Sequence, residues 1–243
     1  MYKYIAKYLL LPKVFRFFDN VTLPSLVIGL IGFLVCSYLA LFFLPADVSQ
    51  QEIYRIFFVH VPAAIFSELI YVFMACCGFI YLVWKTKISA IMLRSTISLG
   101  LVFTLIVLIS GAIWGKPTWG TYWVWDARIT STFILFIQYI GLLALRTSFN
   151  TLQTTDQILS IVAIVGAINI PIIKFSVNWW NTLHQNASIT LSKISIDFEV
   201  LCVLLLMIIS FGFIAFSIFG KNVQSEIIIR QNSSKKIGEL ING

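Results

Sequence analysis

The sequence predicts an all-α, polytopic membrane protein with six transmembrane helices and both termini on the cytoplasmic or matrix side. Three observations carry this. The chain is 59% hydrophobic and 11% charged, whereas a soluble domain carries about 25% charged residues, so there is too little polar surface to coat a soluble globule. Six apolar runs approach or exceed the length of about 20 residues needed to cross a bilayer. The Lys and Arg residues between those runs are unevenly divided, which sets orientation.

The predicted spans are Leu23 to Leu44, Val59 to Trp84, Thr96 to Ile113, Ile129 to Leu145, Ile158 to Phe175 and Phe198 to Phe219. Charged or polar joints separate them. Twelve of the 17 Lys and Arg lie in the N-terminal tail, the second and fourth loops and the C-terminal tail. The other side holds Arg55, Lys116, Arg128, Lys174 and Lys193. The positive side is therefore read as cytoplasm or matrix. The first, third and fifth loops then face the periplasm or intermembrane space. Both histidines, His60 and His184, fall on that outer side, with six of the seven tryptophans; Trp84 alone is inside. An ordinary aromatic belt populates both interfaces, so the asymmetry needs another cause.

Residues 1–220 read as one six-helix membrane domain, and 221–243 as a polar cytoplasmic or matrix tail forming at most a short surface helix. The basic N-terminus precedes an apolar run too long for a secretory signal, with no small-residue cleavage site, so it reads as retained. Pro171 is expected to kink the fifth span. The four cysteines, Cys36, Cys76, Cys77 and Cys202, lie inside apolar runs without a CxxC or CxxCH pattern. That argues against a disulfide framework, a zinc site or a c-type cytochrome. The basic residues are scattered through short loops, so the net charge of +7 reads as topology and not as a nucleic-acid surface. No Walker motif, phosphate loop or nucleophile elbow occurs, so the chain is expected to hydrolyse no nucleotide on its own. Ile and Phe are abundant and Ala sparse, a bias that follows AT-rich coding and tilts the source toward an organelle over a bacterium.

The densest chemistry lies in WGKPTWGTYWVWDAR, Trp114 to Arg128, read as a loop. Its four tryptophans, Trp114, Trp119, Trp123 and Trp125, offer flat aromatic area for a flat, apolar, partly charged ligand. His60 sits in FFVHVPAAIFSELIY at the start of the second span, with Pro62 in the first turn, where a missing N–H costs little. His184 follows Trp179, Trp180 and the polar turn Asn181-Thr182. Taken singly, each histidine reads either as an interfacial packing residue or as an imidazole ligand to a metal or haem iron. As a pair flanking the Trp-rich stretch, they fit two axial ligands closing on one macrocycle. Arg55, Lys116 and Arg128 are candidates to pair with its carboxylates. Asp126 reads as an N-cap or first-turn carboxylate, with an ion pair to Arg128 as a variant. Glu68, Gln138 and Asn169 are polar residues within spans, candidates by default. Glu68 lies about 12 Å along the helix from His60, too far to share one metal.

These motifs resemble a known family. WGKPTWGTYWVWDAR is similar to the tryptophan-rich WWD signature of haem-handling proteins in cytochrome c maturation. HVPAAIFS and NIPIIKFSVNWWNTLHQ resemble two further segments of the haem exporter protein C (CcmC) branch, and the resemblance covers about Pro45 to Gln185. It implies a six-span haem-handling and transfer component, not an enzyme beyond assisting haem attachment to its chaperone, that binds haem b non-covalently on the outer face, with His60 and His184 as axial ligands of the iron. The WWD stretch, with Trp114, Trp119, Trp123, Trp125, Asp126 and Arg128, and with Arg55 nearby, would hold the haem. The family hands haem to the membrane-anchored haem chaperone CcmE. It works alongside the ABC-type subunits CcmA and CcmB and the small single-span CcmD, within membrane lipid and without nucleic acid. The location implied is the mitochondrial inner membrane or the bacterial cytoplasmic membrane. Glu68 departs from the less acidic residue expected beside Ser67. Two alternatives stay open: a synthetase-type subunit that attaches haem to apocytochrome, and a permease subunit for another substrate.

Overall fold

The computed structural model describes residues 10–180, 182–184 and 196–242. The predicted turn residue Asn181 lies outside these, as do Lys3, Lys7, Gln185 and Lys193. The described residues form helices joined by turns, with a single isolated bridge between Asp47 and Gln51. The helices are α1 (Leu11–Phe42), a 3-10 turn (Glu52–Ile56), α2 (Phe57–Trp84), α3 (Lys87–Trp119), α4 (Ala127–Leu145), α5 (Leu152–Gly166), α6 (Asn169–Trp179) and α7 (Phe198–Asn242). Six spans are long and apolar enough to cross a membrane, α5 and α6 together making the fifth. This is a multi-pass membrane protein. Large apolar side chains such as Leu34, Phe42, Ile109 and Ile209 point outward, as a hydrocarbon surround requires.

All six predicted spans are present, but their ends differ. Hydropathy marks where side chains stop being apolar, whereas the hydrogen-bond ladder continues until a residue stops it. Thus α1 begins at Leu11, twelve residues before the apolar run, with a proline in its first turn, a position that tolerates proline. At its other end, α3 runs through Trp114 to Trp119 and stops at Gly120, which takes the left-handed conformation (φ 79°) of a helix C-cap. Six of the fifteen residues of the predicted Trp-rich loop, Trp114–Trp119, are therefore helix, and Ala127 and Arg128 already belong to α4.

Pro171 acts one turn earlier than its own position. The chain breaks at Ala167 and Ile168, and helix resumes at Asn169. Proline lacks an N–H and its ring crowds the carbonyl four residues back, which here is that of Ala167. The carbonyls at the break are met locally, that of Gly166 by Gln138 (3.4 Å) and that of Ala167 by the Ile170 N–H (3.0 Å), and Asn169 ties the break to α4 by donating to the Ser131 carbonyl (2.9 Å).

The stretch after 220 is likewise not a short surface helix. α7 continues to Asn242 and buries Val223, Gln224, Glu226 and Ile227. Its partner is the start of α1, which runs antiparallel to it. Ser217 donates to the Thr22 carbonyl (2.8 Å), and Gln224 donates to Asp19 (3.1 Å). Phe18, Val223 and Ile227 form a small second core there. The main core centres on the fully buried Tyr71 and Tyr139, packed edge to face, with the Tyr139 hydroxyl donating to the Ser67 carbonyl at 2.9 Å. All four cysteines are free thiols.

The bundle therefore has two chemically distinct ends. One gathers the start of α2, the ends of α3 and α6, the start of α4 and residues 182–184. The other gathers both chain-terminal helix regions and the α4–α5 connection.

Candidate functional site

The site is built at the first of these ends. His60 occupies the first turn of α2 and is 8% exposed. Its Nδ1 lies 2.9 Å from the Ser110 hydroxyl on α3. His184, from the segment after α6, brings its ring centroid to 6.3 Å from that of His60, with 38° between the planes. The rings thus meet across 124 positions of sequence, because α2 starts and α6 ends at one level of the bundle. Trp114 packs edge-on against His60 (5.7 Å) and Trp119 edge-on against His184 (5.7 Å). The helical extension of α3 makes this possible, since both indoles project from its last turns.

Trp114 is held from outside. Its Nε1 donates to Gln50 Oε1 at 2.7 Å. Gln50 is fixed in turn, because its backbone N–H and that of Ser49 donate to the Asp47 carboxylate (2.7 and 2.9 Å). The Gln50 N–H bond first, and then the bond from the Ser49 hydroxyl (2.7 Å), hold the Asp47 carboxyl below its usual range. Gln50 and Ser110 were invisible as site residues in the sequence. A polar side chain in a loop and a serine in an apolar run carry no signal until their partners are known.

The other two tryptophans form a separate group. Trp123 and Trp125 pack edge to face (5.3 Å), and both touch Phe133 on α4. Trp125 is 73% exposed, while the Trp123 Nε1 is buried with no hydrogen-bond partner among the described residues. The four indoles thus make two edge-on clusters instead of one flat platform.

Among the charged candidates, Asp126 is the N-cap of α4. Its Oδ1 accepts from the Ile129 N–H at 2.8 Å, as its position predicts. Its Oδ2 is buried and unpartnered among the described residues. Arg128, in the first turn of α4, is half-buried; its carbonyl accepts from Thr132 (2.8 Å) and Ser131 (3.1 Å), while its guanidinium makes no hydrogen bond or ion pair to the described residues. It lies within electrostatic range of His60, His184, Asp126 and Glu68. Glu68, half-buried on α2, lies within electrostatic range of Arg128 and Lys174. Arg55 is committed elsewhere: it donates to Glu52 (2.5 Å), to the Ala40 carbonyl and to the Leu44 carbonyl (3.1 Å). It braces the end of α1 against the 3-10 turn. Lys116 donates to the Gly120 carbonyl at 3.0 Å and lies over Tyr122.

Burial holds the His184 imidazole down to a pKa of about 4, and the nearby positive charge of Arg128 adds to the effect. The ring is therefore neutral at physiological pH, with a lone pair free to coordinate. Among the described residues no three His, Cys, Asp or Glu side chains converge to hold a metal ion. An ion bound between the two imidazoles would need a ligand that brings its own equatorial donors. Two imidazoles on opposite sides of one metal, at bonds of about 2.0–2.1 Å, put their ring centroids roughly 6 Å apart, and the centroid spacing here is 6.3 Å. The residues fit an iron macrocycle.

Comparison with known proteins gives a consistent picture. The family described as "Heme exporter protein C" matches residues 5–238. "Heme exporter protein C" of Escherichia coli K12 is 40% identical over 199 residues, covering 82% of this chain and 80% of that protein. The protein of the same name from Haemophilus influenzae is 39% identical over 232 residues, 95% of this chain and 91% of its own length. A ccmC-like mitochondrial protein of cytochrome c biosynthesis from Marchantia polymorpha is 44% identical over 192 residues, 78% of this chain and 82% of its own.

Proposed function

The chain belongs to the haem exporter protein C family, and from that premise we propose that it binds haem b non-covalently between His60 and His184 and passes it to the membrane-anchored haem chaperone CcmE for c-type cytochrome biogenesis. The observation that carries this is the imidazole pair: two rings with centroids 6.3 Å apart, each backed by a tryptophan edge, with no third protein ligand beside them among the described residues. Haem is cargo here, and it supplies an iron with two open axial positions and a flat apolar face.

The chain's own residues do the rest. His60 and His184 supply the axial nitrogens. Trp114 and Trp119 hold the two imidazoles edge-on and exclude water. Arg128 offers an uncommitted guanidinium beside them, suited to a haem carboxylate. Asp126 fixes the start of α4 and so the position of Arg128. Trp123 and Trp125 flank the site, and the exposed Trp125 face is suited to the haem edge or the receiving chaperone. Arg55 acts as the brace of the first loop. This end is read as the outer face, on the periplasmic or intermembrane-space side, because the basic residues concentrate at the other end. CcmA, CcmB and CcmD are the partners expected in the assembly, which would sit in the mitochondrial inner membrane or the bacterial cytoplasmic membrane.

The test is an absorption spectrum of the purified protein. We expect a six-coordinate, bis-imidazole haem in the wild type, altered by His60→Ala and by His184→Ala, with loading of the chaperone lost in both. Unchanged haem content and unchanged chaperone loading in both variants would overturn the axial assignment. Haem attachment to a CxxCH peptide without the chaperone would move the chain to the synthetase reading.

A further inference from the structure

The hydroxyl of Ser110 has a single hydrogen, and its neighbours decide where that hydrogen goes. Ser110 Oγ lies 2.6 Å from the Ile106 carbonyl one turn back, 3.3 Å from the Val107 carbonyl, and 2.9 Å from His60 Nδ1. Two oxygens at 2.6 Å repel unless a hydrogen lies between them, and a carbonyl has none to offer. The Ser110 hydrogen is therefore spent on Ile106. Toward His60 the hydroxyl can only accept, so the Nδ1 of His60 must carry the proton. The Val107 carbonyl, also acceptor-only, interacts with the same ring. In a neutral imidazole with Nδ1 protonated, Nε2 has the free lone pair.

The next residue completes the seat. A Cβ at Gly111 would stand 3.1 Å from His60 Cε1, tighter than ordinary contact, so glycine there lets the ring lie against the α3 backbone. Among the described residues the His184 ring has no such seat: it meets the Trp119 edge and the His60 ring, and its backbone N–H and carbonyl both bond to the Thr182 hydroxyl.

We propose that Ser110 is a positioning residue that fixes His60 in the Nδ1–H tautomer, with Nε2 presented as the ligand atom, and that His60 is thereby the pre-set ligand of the pair. The ligand role rests on the haem-binding reading above; the tautomer does not. Hydrogen-bonded partners of this kind orient metal-ligating histidines, and losing one weakens metal binding by about 10–100-fold.

The chain contains two histidines, which makes the experiment clean. The full-length, haem-free protein is labelled with 15N-histidine, reconstituted in lipid and examined by NMR at pH 7.5, with His184→Ala leaving His60 alone for assignment. We expect His60 with a protonated Nδ1 and a bare Nε2, the reverse of the tautomer that predominates in free histidine. Ser110→Ala should return it to the ordinary mixture, and Ser110→Thr should restore it. On the haem-loaded protein, Ser110→Ala should bind haem about tenfold more weakly and shift the iron spectrum, with Ser110→Thr again rescuing both. A His60 carrying its proton on Nε2 in the wild type overturns the proposal, as does a tautomer that Ser110→Ala leaves unchanged. The wild-type spectrum decides even if the alanine variant fails to fold. If the tautomer behaves as stated while haem ignores both histidines, the haem-binding reading has failed and the Ser110 geometry stands.

Discussion

The two ends of this bundle both gather polar side chains out of water, and they do so in opposite ways. At one end Arg94, Arg146 and Arg230 meet Asp156 and Glu226, drawn from α3, α7 and the α4–α5 region. Glu226, fully buried, accepts from Arg94 (2.9 Å) and Arg146; Asp156 pairs with Arg230 (2.8 Å) and Arg94 (3.5 Å). Each carboxylate is thus met by two guanidinium groups. At the other end the groups are left open. Arg128 has no ion pair among the described residues, Trp123 Nε1 and Asp126 Oδ2 have no hydrogen-bond partner there, and the two imidazoles face one another. A buried polar group without a partner costs free energy. The first end is a clasp in which each of the five charges has an opposite charge beside it, although Arg94 Nη1 and Arg230 Nε make no hydrogen bond; at the second end Arg128 has no such counter-charge in contact among the described residues.

The largest effect is expected at the clasp. Glu226→Ala leaves Arg94 and Arg146 without their shared carboxylate. Removing one partner of a buried pair costs about 3–5 kcal/mol, which thermal unfolding in detergent would register. A loss below about 1 kcal/mol would mean these charges hold nothing together. His60→Ala and His184→Ala should do the reverse: melting and helical circular dichroism stay near wild type, while haem binding falls by more than the 10–100-fold typical of an outer-shell change. Folding loss in both histidine variants would erase the contrast between the ends.

Smaller effects sharpen the picture within the open end. Trp119→Ala removes an edge contact to His184 of the kind worth about 0.5–1.5 kcal/mol, so haem affinity measured by titration should fall severalfold. Trp125→Ala, whose ring rests on Trp123 and Phe133, should affect affinity less. Equal, complete loss in both would point to folding instead. The subtlest change concerns protons. The His184 pKa is depressed, so its stability contribution is present above the unfolded value near 6.5 and is lost as pH falls through about 4. Arg128→Gln removes the repelling charge, and the midpoint should rise while burial keeps it below 6.5. A 15N titration of the labelled haem-free protein reads this directly, and an unmoved midpoint would separate Arg128 from the site.

Much of this was legible in the chain. The charge-poor composition, six apolar runs and 17 unevenly placed basic residues decide the class, because solvation by lipid is a property of summed side-chain hydropathy. The motif-bearing residues His60, His184, Trp114 and Trp119 were legible as well, and Asp126 as an N-cap, since a cap is local chemistry. What the sequence could not determine is which of these residues meet. His60 and Ser110 are 50 positions apart, and Arg94 and Glu226 132; neither pairing leaves a periodic trace. Nor does hydropathy mark where a helix stops beyond the bilayer, so Trp114–Trp119 read as loop and the region after 220 as a tail. Only the packed bundle separates the four tryptophans into two clusters, commits Arg55 and leaves Arg128 open. Membrane insertion depends on sums along the chain, whereas a site depends on contacts that close across it.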